Sequence, residues 1–310
     1  MSAYLKPVEP GLPSMADEEA CPVEEGRARS TVPGAPRLTH SRAIWTRDIE
    51  VLDAQGQRRA LSIPAERPLT VYLDKRELVT LMTLGAWPEL LVLGWLRNQR
   101  LIERAAQVES ITVDWSVGAA AVRTHAGVAD VEARTAQRIV TTGCGQGTVF
   151  GDFVSHLEGV RLPAADQARV RQGTLTALLE RVRAIRSVHR KAGSVHGCAL
   201  FQGAELWMFV EDVGRHNAVD TIAGWMALHG VEGGDKLFYT TGRLTSEMVM
   251  KAAQMGVPIV ISRNGATAMG HQMAEQLGMT LFGRAANRHF YCYTGFERFD
   301  AEPLAAPPGP

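Results

Sequence analysis

Cysteine is scarce in this 310-residue sequence and never closely paired. Cys21, Cys144, Cys198 and Cys292 are the whole set, with no C-x-x-C among them. That spacing excludes the usual structural zinc frameworks. His196-Gly197-Cys198 is the sole close pair of metal-ligand types, and neither H-x-E followed by P-C-x-x-C nor H-E-x-x-H occurs. No metal site is therefore expected. The G-x-x-x-x-G-K-[ST] phosphate loop is missing too. Ser246 stands in Thr-Ser-Glu, outside any G-x-S-x-G setting, and reads as part of a helix cap. No apolar run approaches the roughly 18 residues of a membrane helix; Leu90 to Leu93 is about as long as they get. The first ten residues hold no apolar core of a secretory signal. An excess of one charge is also lacking, since Lys+Arg and Asp+Glu are equal at 33 each. This excludes a chain whose main work is non-specific binding of nucleic-acid backbones. No membrane and no nucleic-acid partner is expected, and free thiols point to a reducing, cytoplasmic setting.

What is present is an ordinary globular composition, 45% hydrophobic and 21% charged, enough for one large domain or two smaller ones. Six of the fifteen prolines fall before residue 40, among the acidic clusters Asp17-Glu18-Glu19 and Glu24-Glu25. Few large apolar residues accompany them to offset ordering entropy, so residues 1–40 read as a disordered tail. An α+β region follows over 41–135. Leu69 to Leu73 predicts a strand, Asp74 to Glu77 a turn, and Arg47 to Glu66 mixes charged and apolar residues in a strand-like way. Leu84 to Leu96 predicts a core helix, with Pro88-Glu89 at its start. Ile111 to Trp115 and Ala119 to Arg123 predict a strand pair. A core spans 136–296, and 297–310, rich in Pro and Ala, reads as a second disordered tail.

Within the core, strands and helices alternate. Ala164 to His189 predicts one long helix, from the apolar stripe Leu175, Leu178, Leu179, Val182, Ile185 and Val188. Arg181, Arg183, Arg186 and Arg190 occupy its other side, as a solvated face or a docking face. Strands are expected at Leu206 to Val210, Lys236 to Thr240, Val257 to Ile261, Met279 to Phe282 and Phe290 to Thr294. Helices are expected at Asn217 to Leu228, Ser246 to Met255 and Ala266 to Leu277. This order predicts a layered α-β-α fold with a largely parallel or mixed sheet. Sites in such sheets gather where strands end. Cys144, Glu211 to His216, Gly242-Arg243, Ser262 to Asn264 and Gly283-Arg284 all follow predicted strands, so five loops are expected to share a rim.

The stretch Thr141-Thr142-Gly143-Cys144-Gly145-Gln146-Gly147 follows the apolar pair Ile139-Val140, which reads as a strand end. Its glycines leave little bulk around the thiol and let another molecule approach closely. Cys144 is thus a candidate nucleophile, the alternative being a small buried residue in a connection. Its companions are His196, Cys198, Asp212, Arg215 and His216. A neighbouring guanidinium or imidazolium and a helix N-terminus favour a thiolate. The alternative roles are a helix cap for Asp212 and a backbone hydrogen bond for His216. Arg243, Arg263, Arg284, Arg288 and His289 lie at or after strand ends, where bidentate guanidinium groups suit phosphates.

Several stretches together resemble one family. They are Thr142 to Gly145, Val195-His196, Glu211 to Asp220, Gly242 to Val249, Lys251 to Ala253, and Thr280 to Gly283 ahead of Tyr293-Thr294, with Leu93 to Leu96 in the first half. This pattern, over roughly 45–295, is similar to the formate dehydrogenase accessory sulfurtransferase (FdhD) family. The resemblance implies a sulfur carrier with a cytidine deaminase-like fold that lacks the deaminase zinc. It implies that Cys144 accepts sulfur from a cysteine desulfurase as a persulfide. It further implies transfer of that sulfur to the molybdenum cofactor, a bis-(molybdopterin guanine dinucleotide), before insertion into the formate dehydrogenase catalytic subunit. The family's cofactor loop falls on Arg284-Ala285-Ala286-Asn287-Arg288-His289. Two features depart from the pattern. Gly147 stands where the family's C-G-x-C-G loop has its second cysteine, and Arg284 stands where the cofactor loop usually has Phe. The first departure motivates another reading, a cofactor-binding chaperone without sulfur chemistry. A deaminase-like hydrolase is a third, disfavoured by the missing zinc ligands. The sequence permits a homodimer without requiring one.

Overall fold

The computed structural model describes residues 31–128, 138–140, 147–149 and 159–302. The first strands are β1 (Arg37–Leu38), β2 (Thr46–Leu52), β3 (Arg58–Pro64), β4 (Arg67–Leu73) and β5 (Arg76–Thr83). Helix α1 (Pro88–Asn98) follows, then β6 (Val108–Asp114) and β7 (Ala119–Thr124). Strands β1, β6, β7, β4 and β5 make a sheet in that order. Leu69, Val71 and Leu73 of β4 are buried, as are Ile111 and Val113 of β6, the period of two that a one-faced strand imposes. The expected turn after β4 is tighter than four residues. Asp74 and Lys75 alone separate the strands, both at positive φ, as a two-residue hairpin requires. The mixed stretch becomes the β2–β3 hairpin, paired from Thr46 with Pro64 to Leu52 with Arg58.

The second half begins with β8 (Arg138–Val140) and β9 (Gly147–Val149), which pair antiparallel. The Cys144 loop between them lies outside the described residues. Next come β10 (Val170–Arg171), α2 (Gln172–Ala184), α3 (Val188–Ala192), β11 (His196–Gln202), β12 (Glu205–Asp212) and α4 (Arg215–His229). Then follow β13 (Lys236–Thr240), α5 (Ser246–Gln254), β14 (Ile259–Ser262), α6 (Ala268–Gln276), β15 (Thr280–Ala286), β16 (His289–Thr294) and β17 (Phe299–Asp300).

The single helix expected over 164–189 is not formed. Ile185 is extended (φ −62°, ψ 130°) and ends α2. Ser187 restarts the chain as the N-cap of α3, accepting from the Arg190 amide. Ile185 and Val188 are both buried, so the apolar stripe runs across the break and conceals it in the sequence. Ahead of α2, Val170–Arg171 pairs with β17. Strand β11 was not expected at all. It is the second strand of the large sheet, buried on both faces from Gly197 to Phe201, so it shows no alternation.

The large sheet runs β12-β11-β13-β14-β15-β16. It is mixed: β13, β14 and β15 are parallel, while β11 is antiparallel to both its neighbours and β16 to β15. On one face Leu200, Phe238, Val260 and Leu281 pack with apolar residues of α4, α5 and α6. On the other, Phe201, Tyr239, Ile261 and Phe282 pack with Leu175, Leu178 and Leu179 of α2. The result is three layers, joined to the first sheet through α1.

Helix α1 starts at Pro88, four residues later than the Leu84 to Leu96 expected, because proline takes its first position, and it is apolar nearly all round because it is enclosed. It crosses α4 at glycines. A methyl on Gly94 would lie 1.7 Å from the Asp220 carbonyl oxygen, and one on Gly224 would lie 2.0 Å from the Leu90 carbonyl oxygen. Both obstacles are backbone, which cannot swing aside. Gly94→Ala is therefore expected to cost at least about 3 kcal/mol, at the upper end of overpacking effects, and to lower the melting temperature by about 6–12 °C. Thermal unfolding followed by circular dichroism checks this; an unchanged melting temperature would contradict the close crossing.

Candidate functional site

Strand register brings the predicted loops to one end of the large sheet. His196 pairs with Asp212, Thr240 with Ser262 and Cys198 with Thr240, and the Arg284 amide donates to the Asn264 carbonyl at 2.9 Å. Four of the five expected loops thus share a rim. The fifth carries Cys144 and lies outside the described residues.

Asp212 closes this end of the sheet against the first half of the chain. One carboxylate oxygen accepts from the Leu84 amide at 3.1 Å and from the Thr83 hydroxyl. The other accepts from the Gly214 amide at 3.0 Å and Asn217 Nδ2 at 2.8 Å. Burial pushes its pKa up to about 6, and the four donors oppose that rise. With its acceptor sites engaged by protein, Asp212 positions the rim. Beside it, Glu211 accepts from the Val188 amide at 2.6 Å and the His189 amide at 3.1 Å, capping α3.

Arg215 and His216 open α4 and are both buried, at 4% and 1% exposure. The Arg215 stem crosses Gly242, where a methyl would lie 2.6 Å from Cδ, so the glycine after β13 is required for that passage. His216 Nε2 lies 3.1 Å from Glu247 Oε2 of α5, outside hydrogen-bond alignment. Burial pushes the His216 pKa down to about 2, with help from Lys251, Arg215 and His196. The imidazole is therefore neutral at physiological pH, and Arg215 is the cation of the pair.

Behind His216 runs a buried polar chain that sequence reasoning missed. Asn98 of α1 donates to Asp220 at 2.6 Å. Lys251 donates to the other Asp220 oxygen at 2.8 Å and lies 3.7 Å from Glu247. The chain joins α1, α4 and α5. Its sequence signal was present: Asp220, Glu247 and Lys251 stand among apolar residues within expected helices, and Glu247 and Lys251 are four apart.

His196 is partly buried at the start of β11, with Nδ1 3.3 Å from Thr241 Oγ1. Burial lowers its pKa, with further lowering from Arg215, His189 and Arg243. Arg243, Arg263 and Arg284 are exposed on the rim, with no ion pair among the described residues. Arg284 adopts a left-handed conformation (φ 51°) at a bulge in β15. The expected cofactor loop is a tight hairpin whose side chains diverge. Ala285 is in the apolar core, while Ala286 and His289 are exposed and paired across the turn. Asn287 and Arg288 reach α2, where they line a cleft of about 280 Å³ with Leu179, Glu180 and Arg183. Burial holds both described thiols in the protonated form at neutral pH. Cys198 is fully buried under the rim with its pKa pushed up by burial to about 12, and that of Cys292 is raised to about 11. Among the described residues no cluster of three His, Cys, Asp or Glu side chains is arranged for a metal ion.

Lys251 faces two buried carboxylates, so removing its charge strands them both. Lys251→Met is expected to cost about 3–5 kcal/mol. The double variant with Asp220→Asn should recover part of that loss in urea unfolding; equal stability of Lys251→Met and the native chain would show the chain to be without energetic weight.

A model of the FdhD/NarQ family matches residues 64–300. The chain is 34% identical over 263 residues to the sulfur carrier protein FdhD of Bacillus subtilis (strain 168), covering 84% of this chain and 98% of that one. It is 33% identical to the sulfur carrier protein FdhD of Bacillus licheniformis, covering 84% and 97%. A crystal structure of a proposed formate dehydrogenase accessory protein from Desulfotalea psychrophila superposes with a TM-score of 0.65 at 25% identity, covering 82% of this chain and 98% of that one. With a family pattern running from 64 to 300 and relatives aligned over nearly their whole length, the chain belongs to the FdhD/NarQ family.

Proposed function

We propose that this chain carries sulfur during maturation of a formate dehydrogenase. The observation that carries the reading is its identity, over 84% of its length, with relatives named as sulfur carrier proteins. In this reading Cys144 is the acceptor. Its thiolate attacks the outer sulfur of a persulfide on a cysteine desulfurase; the sulfur–sulfur bond there breaks, and the desulfurase cysteine leaves as a thiolate. Cys144 then holds the sulfur as its own persulfide. Transfer to the substrate, the molybdenum centre of the bis-(molybdopterin guanine dinucleotide) cofactor, breaks the new bond and frees Cys144 as a thiolate. The receiving metal centre supplies the two electrons that convert the sulfur to sulfide.

The rim supports these steps through its charge. Arg215 is the buried cation suited to favour a thiolate, a role that neutral His216 does not share. His196 and Asp212 fix the ends of the strands beside it. Exposed Arg243, Arg263 and Arg284 suit the cofactor's phosphates, with Arg288 and His289 on the neighbouring hairpin. We further read the 136–296 core as cytidine deaminase-like, the region over 41–135 as its α+β partner, and the setting as cytoplasmic.

A second reading, delivery of the intact cofactor without sulfur chemistry, is favoured by one observation: Cys144-Gly145-Gln146-Gly147 holds a single cysteine. A lone thiol still accepts and donates sulfur, although it has no neighbour with which to form a disulfide.

Intact-mass measurement after incubation with an active cysteine desulfurase and cysteine separates the two. The native chain should gain one reductant-labile sulfur atom, and Cys144→Ala should gain none. No gain in the native chain, with cofactor binding and client maturation retained in Cys144→Ala, would replace the carrier by the delivery protein.

A further inference from the structure

Exposed guanidinium groups crowd the end of α2. Arg183 stands in its last turn, Arg186 follows it, Arg190 lies on α3 and Arg288 in the β15–β16 turn. Their contacts tie them into one face. Arg190 donates to the Arg183 carbonyl, and Arg183 reaches Asn287 Oδ1 at 3.5 Å. Arg183, Asn287 and Arg288 line the same cleft with Leu179 and Glu180. Among the described residues Glu180 pairs with this group, 3.8 Å from Arg288, which leaves the cations in excess. The dipole of α2 favours a cation in its last turn and so accounts for Arg183. It does not account for Arg186 and Arg288, which lie outside the helices.

A complementary segment exists in the chain itself. Residues 17–25, Asp-Glu-Glu-Ala-Cys-Pro-Val-Glu-Glu, hold five carboxylates and no Lys or Arg. They bring the formal charge to zero, since without them the chain has 33 basic and 28 acidic residues. The stretch lies outside the family pattern, which begins at residue 64, so the sulfur-carrier reading gives it no task. Its length suits the face. The Val32 amide donates to the Leu228 carbonyl at 2.9 Å, which fixes the chain at the end of α4 far from the rim. The cations lie at the rim end, on the opposite face of the large sheet. One length of α4 and two packed layers amount to a straight line of about 30 Å. Measured from Val32, an extended chain reaches about 24 Å at Glu25 and about 50 Å at Asp17. The acidic stretch brackets the distance at which the cations stand.

We propose that residues 17–25 dock on Arg183, Arg186, Arg190 and Arg288 of the same chain and hold that face closed to other acidic segments. Single exposed ion pairs contribute little. Here five carboxylates meet four guanidinium groups on one tether, at an effective concentration of about 1 mM. A weak match is then enough to cover the face at low ionic strength, and salt uncovers it.

Phenylglyoxal modification of the full chain, resolved arginine by arginine through peptide mass, tests this. The comparison is a full-length variant carrying Asp17→Asn, Glu18→Gln, Glu19→Gln, Glu24→Gln and Glu25→Gln. Arg183, Arg186 and Arg288 should react about fivefold more slowly in the native chain, as an effective concentration several times the Kd of the contact requires. Arg243 and Arg263 should react alike in both. Salt at about 1 M, where the screening length is about 3 Å, should erase the difference. In calorimetry a synthetic peptide of residues 17–25 should bind the neutralised variant tighter than the native chain by the same factor of about five. Adding Arg186→Glu and Arg288→Glu to that variant should abolish peptide binding. Cys144→Ala should keep the native protection, so the outcome is independent of the sulfur chemistry. Equal rates in the two full-length proteins overturn the proposal and leave the face open to an acidic partner from outside. Protection that fades on dilution also overturns it, because the segment then docks on a second copy.

Discussion

The carboxylate of Asp212 fastens two parts of this molecule that are distant in sequence. Its partners at Thr83 and Leu84 end β5, and those at Gly214 and Asn217 start α4. A buried carboxylate is unfavourable unless donors surround it. Here the donors come from both sides of the joint, so the charge is tolerated only when the joint is closed. Asn217 adds a second tie, donating to the Met82 carbonyl at 2.7 Å. The position of Arg215 and His216, and so of the whole rim, follows from where this joint holds the first turn of α4.

The same dependence appears one turn further along. The glycine crossing of α1 and α4 sets the helices close enough for Asn98 to reach Asp220. Asp220 then receives Lys251, and Lys251 brings Glu247 beside His216. Apolar packing without side chains thus fixes the distances over which the buried charges meet. Neither layer works alone, since the crossing without the charges would leave Asn98 unsatisfied, and the charges without the crossing would lack a partner on α1.

Much of the architecture was legible in the sequence because local signals and burial agreed. Pro88-Glu89 announced α1, and the apolar run Lys236 to Thr240 is a strand over those same residues. The misreadings have a shared cause. Ile185 and Val188 kept helical period while the backbone broke between them, and β11 lost its period because both of its faces are covered. The rim was anticipated from strand ends alone, and Arg215, His216, Asp212 and His196 do gather there. What the sequence did not separate was task from type. Asp212 and His216 look alike as polar residues before a helix, yet one is saturated by protein donors and the imidazole of the other has no hydrogen-bond partner among the described residues. Asp220, Glu247 and Lys251 were visible only as interruptions, since their partners lie on different helices.

The burial of Cys198 has a consequence for chemistry done on this protein from outside. Its thiol is fully enclosed and, like the half-buried thiol of Cys292, is held protonated far above neutral pH. Thiolates, not thiols, react with alkylating and sulfur-transferring reagents. In neutral solution both described thiols are therefore poor in thiolate, and Cys198 is also shut away from reagents while the fold is intact. Uptake of label at the fully enclosed Cys198 under those conditions reports that the sheet has opened.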